Sequence, residues 1–360
     1  MTTVLITDIT SYKAAVIARH LRRHHPDVRV VATDHRRFSR HVHTRHAPSV
    51  VRLSCGPEAG KAYAAELERV IARVGADILI PVNSKEIRVL VEHRAHLGAS
   101  LSYMGEGALY HRLDDKTKFA ALVEEAGLPQ PKNYDHFDAP LPLVVKPAQG
   151  SSSKGVVYVR TEAEREALKS RLGGKTADFV VQDYVEGEGV GYSGFFENGR
   201  PLVAYAHRRV AEYPVSGGSS VVRERYNHAD LPQLEALAAR LLSVAPWSGF
   251  AMFELKRRGP GDFVFIECNP RIWGSIHQGL ADGADYFEPL LGKGGPDVRR
   301  AQAGMRTALL PLNLLAAAGY LRQGNFSKVL DMMRPALRQR LDINPFTDPL
   351  GFLALLMRGA

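Results

Sequence analysis

Two apolar runs, Phe250-Ala251-Met252-Phe253-Glu254-Leu255-Lys256 and Phe263-Val264-Phe265-Ile266-Glu267-Cys268-Asn269-Pro270-Arg271, are joined through Arg258-Gly259-Pro260-Gly261-Asp262. Strand-like runs flanking a Gly/Pro turn read as an antiparallel hairpin, which commits this part of the chain to an antiparallel sheet. Side chains alternate along a strand, so Glu267 and Asn269 share a side, and Arg271 follows if the strand runs on. Cys268 then points the other way, into the core. Any register that sets Glu254 opposite residue 265 or 267 brings both carboxylates to one face. Two acids and an amide oxygen suit a hard cation such as Mg2+, and an adjacent arginine suits the phosphate that such a cation carries.

The first hundred residues follow a different rule. Strands at residues 3–7, 28–33 and 77–81 alternate with helices at 11–24, 61–74 and 84–96, which argues a parallel, Rossmann-like sheet. The first turn, Asp8-Ile9-Thr10-Ser11-Tyr12, has no glycine, so a dinucleotide fingerprint is absent and the domain is expected to help bind a substrate. Glu86 reads as a helix cap or a solvated side chain. From Asp114 the pattern changes to a helix over 116–126, short strands at 143–146, 155–160 and 179–184, and helices at 162–171 and 231–243. The last sixty residues read as mostly helical. The expected organisation is a Rossmann-like domain over 1–110, an α+β domain of two lobes (111–185 and 186–295), and a helical extension over 296–360.

A formal charge of +9 would suit a nucleic-acid binder. The basic residues are dispersed, however, and no basic helix with interleaved aromatics is present, so a solvated basic surface or an anionic substrate is expected instead of nucleic acid. The run His41-Val42-His43-Thr44-Arg45-His46 reads as a solvated loop, since no carboxylate or cysteine completes a metal set. Only Cys55 and Cys268 are present, and the chain opens on Val4-Leu5-Ile6-Thr7 without the regions of a secretory signal. A reducing cytoplasm is the expectation. The apolar stretch 308–321 contains Pro311 and Asn313 and falls short of the roughly 20 residues that span a bilayer, so membrane contact is not expected.

Between two of the short strands lies Lys146-Pro147-Ala148-Gln149-Gly150-Ser151-Ser152-Ser153-Lys154-Gly155. Small residues let backbone and hydroxyl groups approach a phosphate while lysine neutralises it. This is not a Walker A loop, because Gly155 leads into a strand. Together with Asp115-Lys116, Val181-Gln182-Asp183-Tyr184-Val185-Glu186-Gly187, the strand over 247–256 and Glu267-Cys268-Asn269-Pro270-Arg271, the segment resembles the ATP-grasp superfamily. It is most similar to the carbamoyl-phosphate-synthase-like carboxylate-amine ligases, over residues 1 to about 290.

The resemblance implies a Rossmann-like pre-ATP-grasp domain, a two-lobed ATP-grasp domain, and ATP with Mg2+ as two ions, Mn2+ being an alternative. Lys116 and Lys146 match the lysines that reach the phosphates, and Ser151, Ser152, Ser153 and Gly155 belong to the lid over them. Gln182, Asp183, Tyr184 and Val185 match the hinge that reads adenine, and Glu188 is placed for the ribose. Glu254, Glu267 and Asn269 match the metal ligands, and Arg271 the arginine that steadies the acyl phosphate. One of Arg208 and Arg209 faces the γ-phosphate, and Arg208 is the residue expected there. Gly217, Gly218 and Ser219 would form a loop around the acceptor substrate. The implied activity is amide formation from a small carboxylate and an amine through an acyl phosphate, with a homodimer among the implied assemblies. The alternatives are another acceptor, of bicarbonate or thiol type, and a non-catalytic nucleotide-binding regulator.

Overall fold

The structure, a computed structural model, describes residues 1–94, 97–150, 155–173, 176–294, 305–333 and 339–358. The first sheet is parallel, with β1 (Thr3–Ile6), β2 (Arg29–Asp34), β3 (Val50–Arg52) and β4 (Ile78–Ile80) in the order β3-β2-β1-β4. Its strands are apolar on both faces because each face is covered: Leu5, Val31 and Leu79 enter one cluster while Val4, Ile6 and Ile80 enter another. The helices Tyr12–His24, Lys61–Val74 and Ser84–Glu92 provide part of that cover. Glu86 closes a capping box with Asn83 and also accepts from Thr7 and Tyr63. The glycine-free first turn holds Asp8 at φ +56°, and its carboxylate is taken by Arg36, Asn83 and Arg358.

A second, antiparallel sheet contains β5 (Asn133–Tyr134), β6 (Leu143–Pro147), β7 (Val157–Val159) and β8 (Phe179–Asp183) in the order β5-β8-β6-β7. The helix Glu162–Leu172, started by a Thr161/Glu164 capping box and ended at left-handed Gly173, packs Leu168 against Leu143, Val145, Val159 and Val181.

The largest sheet has seven strands: β9 (Glu188–Glu197), β10 (Arg200–Tyr213), β11 (Ser219–Arg225), β12 (Gly249–Gly259), β13 (Asp262–Asn269), β14 (Arg306–Ala308) and β15 (Gln339–Leu341), ordered β13-β12-β9-β10-β11-β14-β15. Asn198 and Gly199 both have positive φ and form the tight turn between β9 and β10. The second cluster of the first sheet continues through Phe195, Tyr205, Phe250 and Met252 of this sheet, so the two share a core.

The expectation of a helical segment after residue 296 needs correction. The helices Leu312–Arg322, Phe326–Met333 and Pro349–Arg358 are present, yet β14 and β15 lie among them and extend the large sheet beyond β11. They are held from within. Arg223 of β11, fully buried, donates to both carboxylate oxygens of Asp342 at 2.8 Å, and His277 Nδ1 lies 2.8 Å from the same group. Arg19 of the first helix donates to the Asp342 carbonyl at 2.8 Å. Burial pushes Asp342 up, but Arg223 and His277 outweigh it and hold the carboxyl below its usual range.

Candidate functional site

A cavity of ≈ 530 Å3 lies between the four-stranded antiparallel sheet and the seven-stranded sheet. From the first come Val144 and Lys146 of β6, Tyr158 of β7, and Gln182, Tyr184 and Val185 at the end of β8; from the second come Gly189, Arg209, Glu254, Leu255, Ile266 and Glu267. Tyr158 and Tyr184 stand edge to face at 5.8 Å, with the Arg160 guanidinium within 5.9 Å of both rings.

The acids meet because of register. Glu254 lies directly opposite Glu267, and Asn269, opposite Met252, sends its Nδ2 to both carboxylates at 3.3 and 3.4 Å. Immediately beyond this pair the hairpin slips by one residue, leaving Ile266 unmatched. Such a bulge re-aims backbone groups. Here the Ile266 carbonyl accepts from Lys146 Nζ at 3.2 Å, which brings the lysine of the opposite sheet to the acids.

Four cations balance these carboxylates. Lys116 is the first residue of the helix Lys116–Glu125, which Asp115 caps, and its Nζ lies 3.8 Å from Glu267 and 3.3 Å from the Gly150 carbonyl. Arg209 ion-pairs with Glu254 and lies 3.4 Å from Glu212. Arg271 donates to Asn269 Oδ1 and, at 2.9 Å, to the Ile272 carbonyl, while its buried Nε has no hydrogen-bond partner among the described residues. Burial pushes Lys146 down to about 8, aided by Lys116 and opposed by Glu267 and Glu254. Burial raises Glu267, but Lys116, Lys146, Arg209 and Arg271 together hold it below its ordinary value. Glu254 goes the other way, because burial and the Glu267 charge exceed the help of Arg209.

Arg208, the residue expected at the phosphate, is on the wrong face. It pairs with Glu188 and Glu224, opposite Val190, whose side chain lies in the core. Alternation then sends Arg209 to the cavity, so Arg209 replaces Arg208 in the site. Glu188 shares the Arg208 face and does not line the cavity, contrary to the place expected for a ribose ligand. Two glycines make the Arg209 face passable: a Cβ on Gly189 would stand 2.9 Å from Arg209 Cδ, and one on Gly191 2.2 Å from His207 Cε1.

Of the remaining expected residues, Lys116, Lys146, Gln182, Tyr184, Val185, Gly217 and Gly218 line the cavity. Asp183 does not: its carboxylate accepts from Tyr134 Oη at 2.9 Å, in a separate surface cleft with Lys132 and Arg258. Ser219 begins β11 beside the cavity wall. Ser151, Ser152 and Ser153 lie outside the described residues. Gly155, at φ +79°, is packed so that a Cβ would meet Pro147 Cγ at 2.9 Å. Gly217 approaches the other sheet: its Cβ would fall 1.9 Å from Tyr158 Oη, so only glycine brings this loop to the rim. Sequence reasoning missed Tyr158, Arg160, Glu212 and Lys256, which also line the cavity. Lys256 had a signal, since alternation from Glu254 places it on the same face; Glu212, which lies beyond register shifts at Ala211, and Tyr158 and Arg160 had none.

An ATP-grasp domain model matches residues 113–275. Among solved structures, the biotin carboxylase domain dimer of the Hydrogenobacter thermophilus 2-oxoglutarate carboxylase, in complex with MgADP, ADP and bicarbonate, aligns with a TM-score of 0.65 at 14% identity, over 85% of this chain and 73% of that one. An N5-carboxyaminoimidazole ribonucleotide synthetase in complex with ADP aligns at 0.65 and 14% identity, over 90% and 85%. The L-amino acid ligase from Bacillus licheniformis aligns at 0.58 and 17% identity, over 78% and 69%. At these identities the likeness is one of fold. No curated protein matches the sequence significantly.

Proposed function

We propose that this chain, whose residues 113–275 match an ATP-grasp domain model, is an ATP-dependent ligase that joins a small carboxylate to an amine through an acyl phosphate. The observation that carries this reading is the opposed pair Glu254 and Glu267, set among Lys116, Lys146 and Arg209 on the floor of a cleft. Two carboxylates on one face fit a hard divalent cation. Asn269 fits with one adjustment: its amide must turn over, because its nitrogen now faces the acids and its oxygen Arg271. Glu254, Glu267 and the turned Asn269 would hold Mg2+ there, and the ion would supply positive charge against the nucleotide phosphates.

The chain's own groups do the rest. The Asp183 and Tyr184 N–H groups already serve the Lys132 and Pro142 carbonyls, so the base would be read by other backbone groups near Val185, between Val144, Leu255 and Ile266. Lys116, Lys146 and Arg209 neutralise the phosphates and align them, which is most of what phosphoryl transfer asks of a protein. A substrate carboxylate oxygen bonds to the γ-phosphorus as the bond to ADP breaks. The amine nitrogen then bonds to the acyl carbon, phosphate leaves, and the amine proton passes to water. Arg271, which is bonded to Asn269 behind the acids and does not itself line the cavity, would steady the acyl phosphate once the Asn269 amide turns, and the Gly217–Gly218 loop against Tyr158 would shield it from water. The same reading includes cytoplasmic location and a homodimer.

Phosphate release should be measured with panels of acids and amines, and with bicarbonate. Release that needs both an acid and an amine, and that Glu267→Gln abolishes, supports the ligase. Release that follows bicarbonate alone moves the chain to the other acceptor class, and nucleotide binding without release under every pairing overturns the enzymatic reading.

A further inference from the structure

Away from the cleft, the far end of the helix Tyr12–His24 gathers a second set of ligand-type side chains. His20 lies in its last turns, and His25, the C-cap residue, turns back beside it after its N–H closes on the Leu21 carbonyl at 2.8 Å. Asp285 approaches from the turn between the helices Ile276–Ala281 and Phe287–Leu290. Its Oδ1 accepts from the Phe287 N–H at 3.0 Å, which fixes the carboxylate and aims Oδ2 at both imidazoles. His20 Nε2 and His25 Nε2 each lie 2.9 Å from that one oxygen, and all three ligand atoms are within 4.8 Å of one another. Both histidines are more than nine-tenths buried.

One carboxylate oxygen serves both rings: Asp285 Oδ2 is hydrogen-bonded to His25 Nε2, and His20 Nε2, equally close, is paired with the same oxygen at an angle poor for a hydrogen bond. The His20 ring is held in that orientation by His24, stacked at 4.6 Å, and by Phe287 at 5.8 Å. Two neutral imidazoles and a carboxylate form the ligand set of a late first-row divalent ion, Zn2+ above all. With bonds of about 2.0–2.1 Å, tetrahedral ligands stand about 3.3 Å apart, so each N···O separation need open by only about 0.4 Å. The helix C-terminus adds a partial negative charge on the same side. Water would complete the coordination, since the Asp285 side chain is 15% exposed.

We propose that His20, His25 and Asp285 form a structural transition-metal site, taking Zn2+, that clamps the first helix to the turn at Asp285. The site is independent of the nucleotide cleft, and its metal would tie the parallel sheet to the segment that follows β13. The chain stripped with chelator should take up one equivalent of Zn2+ in competition with a chromophoric chelator, with a rise in Tm, and Co2+ in its place should give tetrahedral d–d bands. His25→Ala and Asp285→Asn should each weaken uptake by at least about 100-fold. His20→Gln, the milder change, should do the same with an unaltered far-UV spectrum, whereas His41→Ala, in the exposed histidine loop, should leave uptake intact. No uptake by the wild-type chain, uptake unaffected by the three variants, or uptake lost with Glu267→Gln and retained with His25→Ala would each overturn the assignment.

Discussion

Lys146 is 3% exposed and has the Ile266 carbonyl as a hydrogen-bond partner, and burial pushes its ammonium down to about 8. If a bound nucleotide brings phosphate charge to it and restores the ordinary 10.5, binding and protonation are coupled by roughly 2.5 pH units, or roughly 3 kcal/mol. Nucleotide affinity should therefore be flat below pH 8 and weaken toward about tenfold per pH unit above it. At pH 9 the free site is about one-tenth protonated, so binding should draw in about 0.9 proton. Calorimetry in two buffers of different ionisation enthalpy measures that number directly, and Lys146→Met should reduce it to near zero while weakening binding below pH 8. The free protein gives the opposite sign. Because the folded value is lower than the unfolded one, the protonated lysine costs stability below pH 8, and that cost fades as pH rises from 8 toward 10.5. Lys146→Met should thus be more stable than wild type at pH 7 without nucleotide, by at most about 3 kcal/mol. Equal proton uptake by the two proteins at pH 9 would refute the reasoning.

Arg209→Leu should cut ATP turnover by about 100-fold or more, as expected for a group that stabilises transferred charge, whereas Arg208→Leu should stay within about threefold; steady-state kinetics with equal losses would show the faces of β10 to be wrongly assigned. Gly191→Ala should cost about 1–3 kcal/mol in urea unfolding, because the new methyl meets the His207 ring. Asp342→Ala should cost about 3–5 kcal/mol by stranding the buried Arg223, and the double change Arg223→Met with Asp342→Leu should recover part of that loss, by the same measurement.

The hairpin shows why some of the site was legible and some was not. Alternation alone brings Glu267 and Asn269 to one face, but Glu254 joins them only because the hairpin slips by one residue at Ile266; without that bulge Glu267 would stand opposite Phe253, in the core. The choice between Arg208 and Arg209 depended on which face of β10 meets that core, and β10 is apolar on both faces around the pair, with Val210 fully buried beside them. Register shifts on either side of Ala211 break the count further. The Asn198-Gly199 turn could not serve as the reference either, since the register shifts between Pro201 and Val203 before Arg208 comes to lie opposite Val190. Strands β14 and β15 had no marker: Arg306-Thr307-Ala308 and Gln339-Arg340-Leu341 are too short for a period, and the long-range pair Arg223–Asp342 holds their place. The His20–His25–Asp285 group was hidden for the same reason, its acid standing 260 residues from its nearer histidine.

The late arrival of β14 and β15 bears on biosynthesis. Every wall of the nucleotide cleft drawn from β6 to β13 is synthesised before residue 270, yet until the chain has been made past Ala308 the outer side of β11 is an open edge of a mostly complete sheet. An unpaired edge is a template for another chain's strand. Chains stalled or cleaved between residues 271 and 305 would therefore carry the site residues of β6 to β13 but expose β11, and their characteristic failure would be self-association through that edge, before any loss of those contacts.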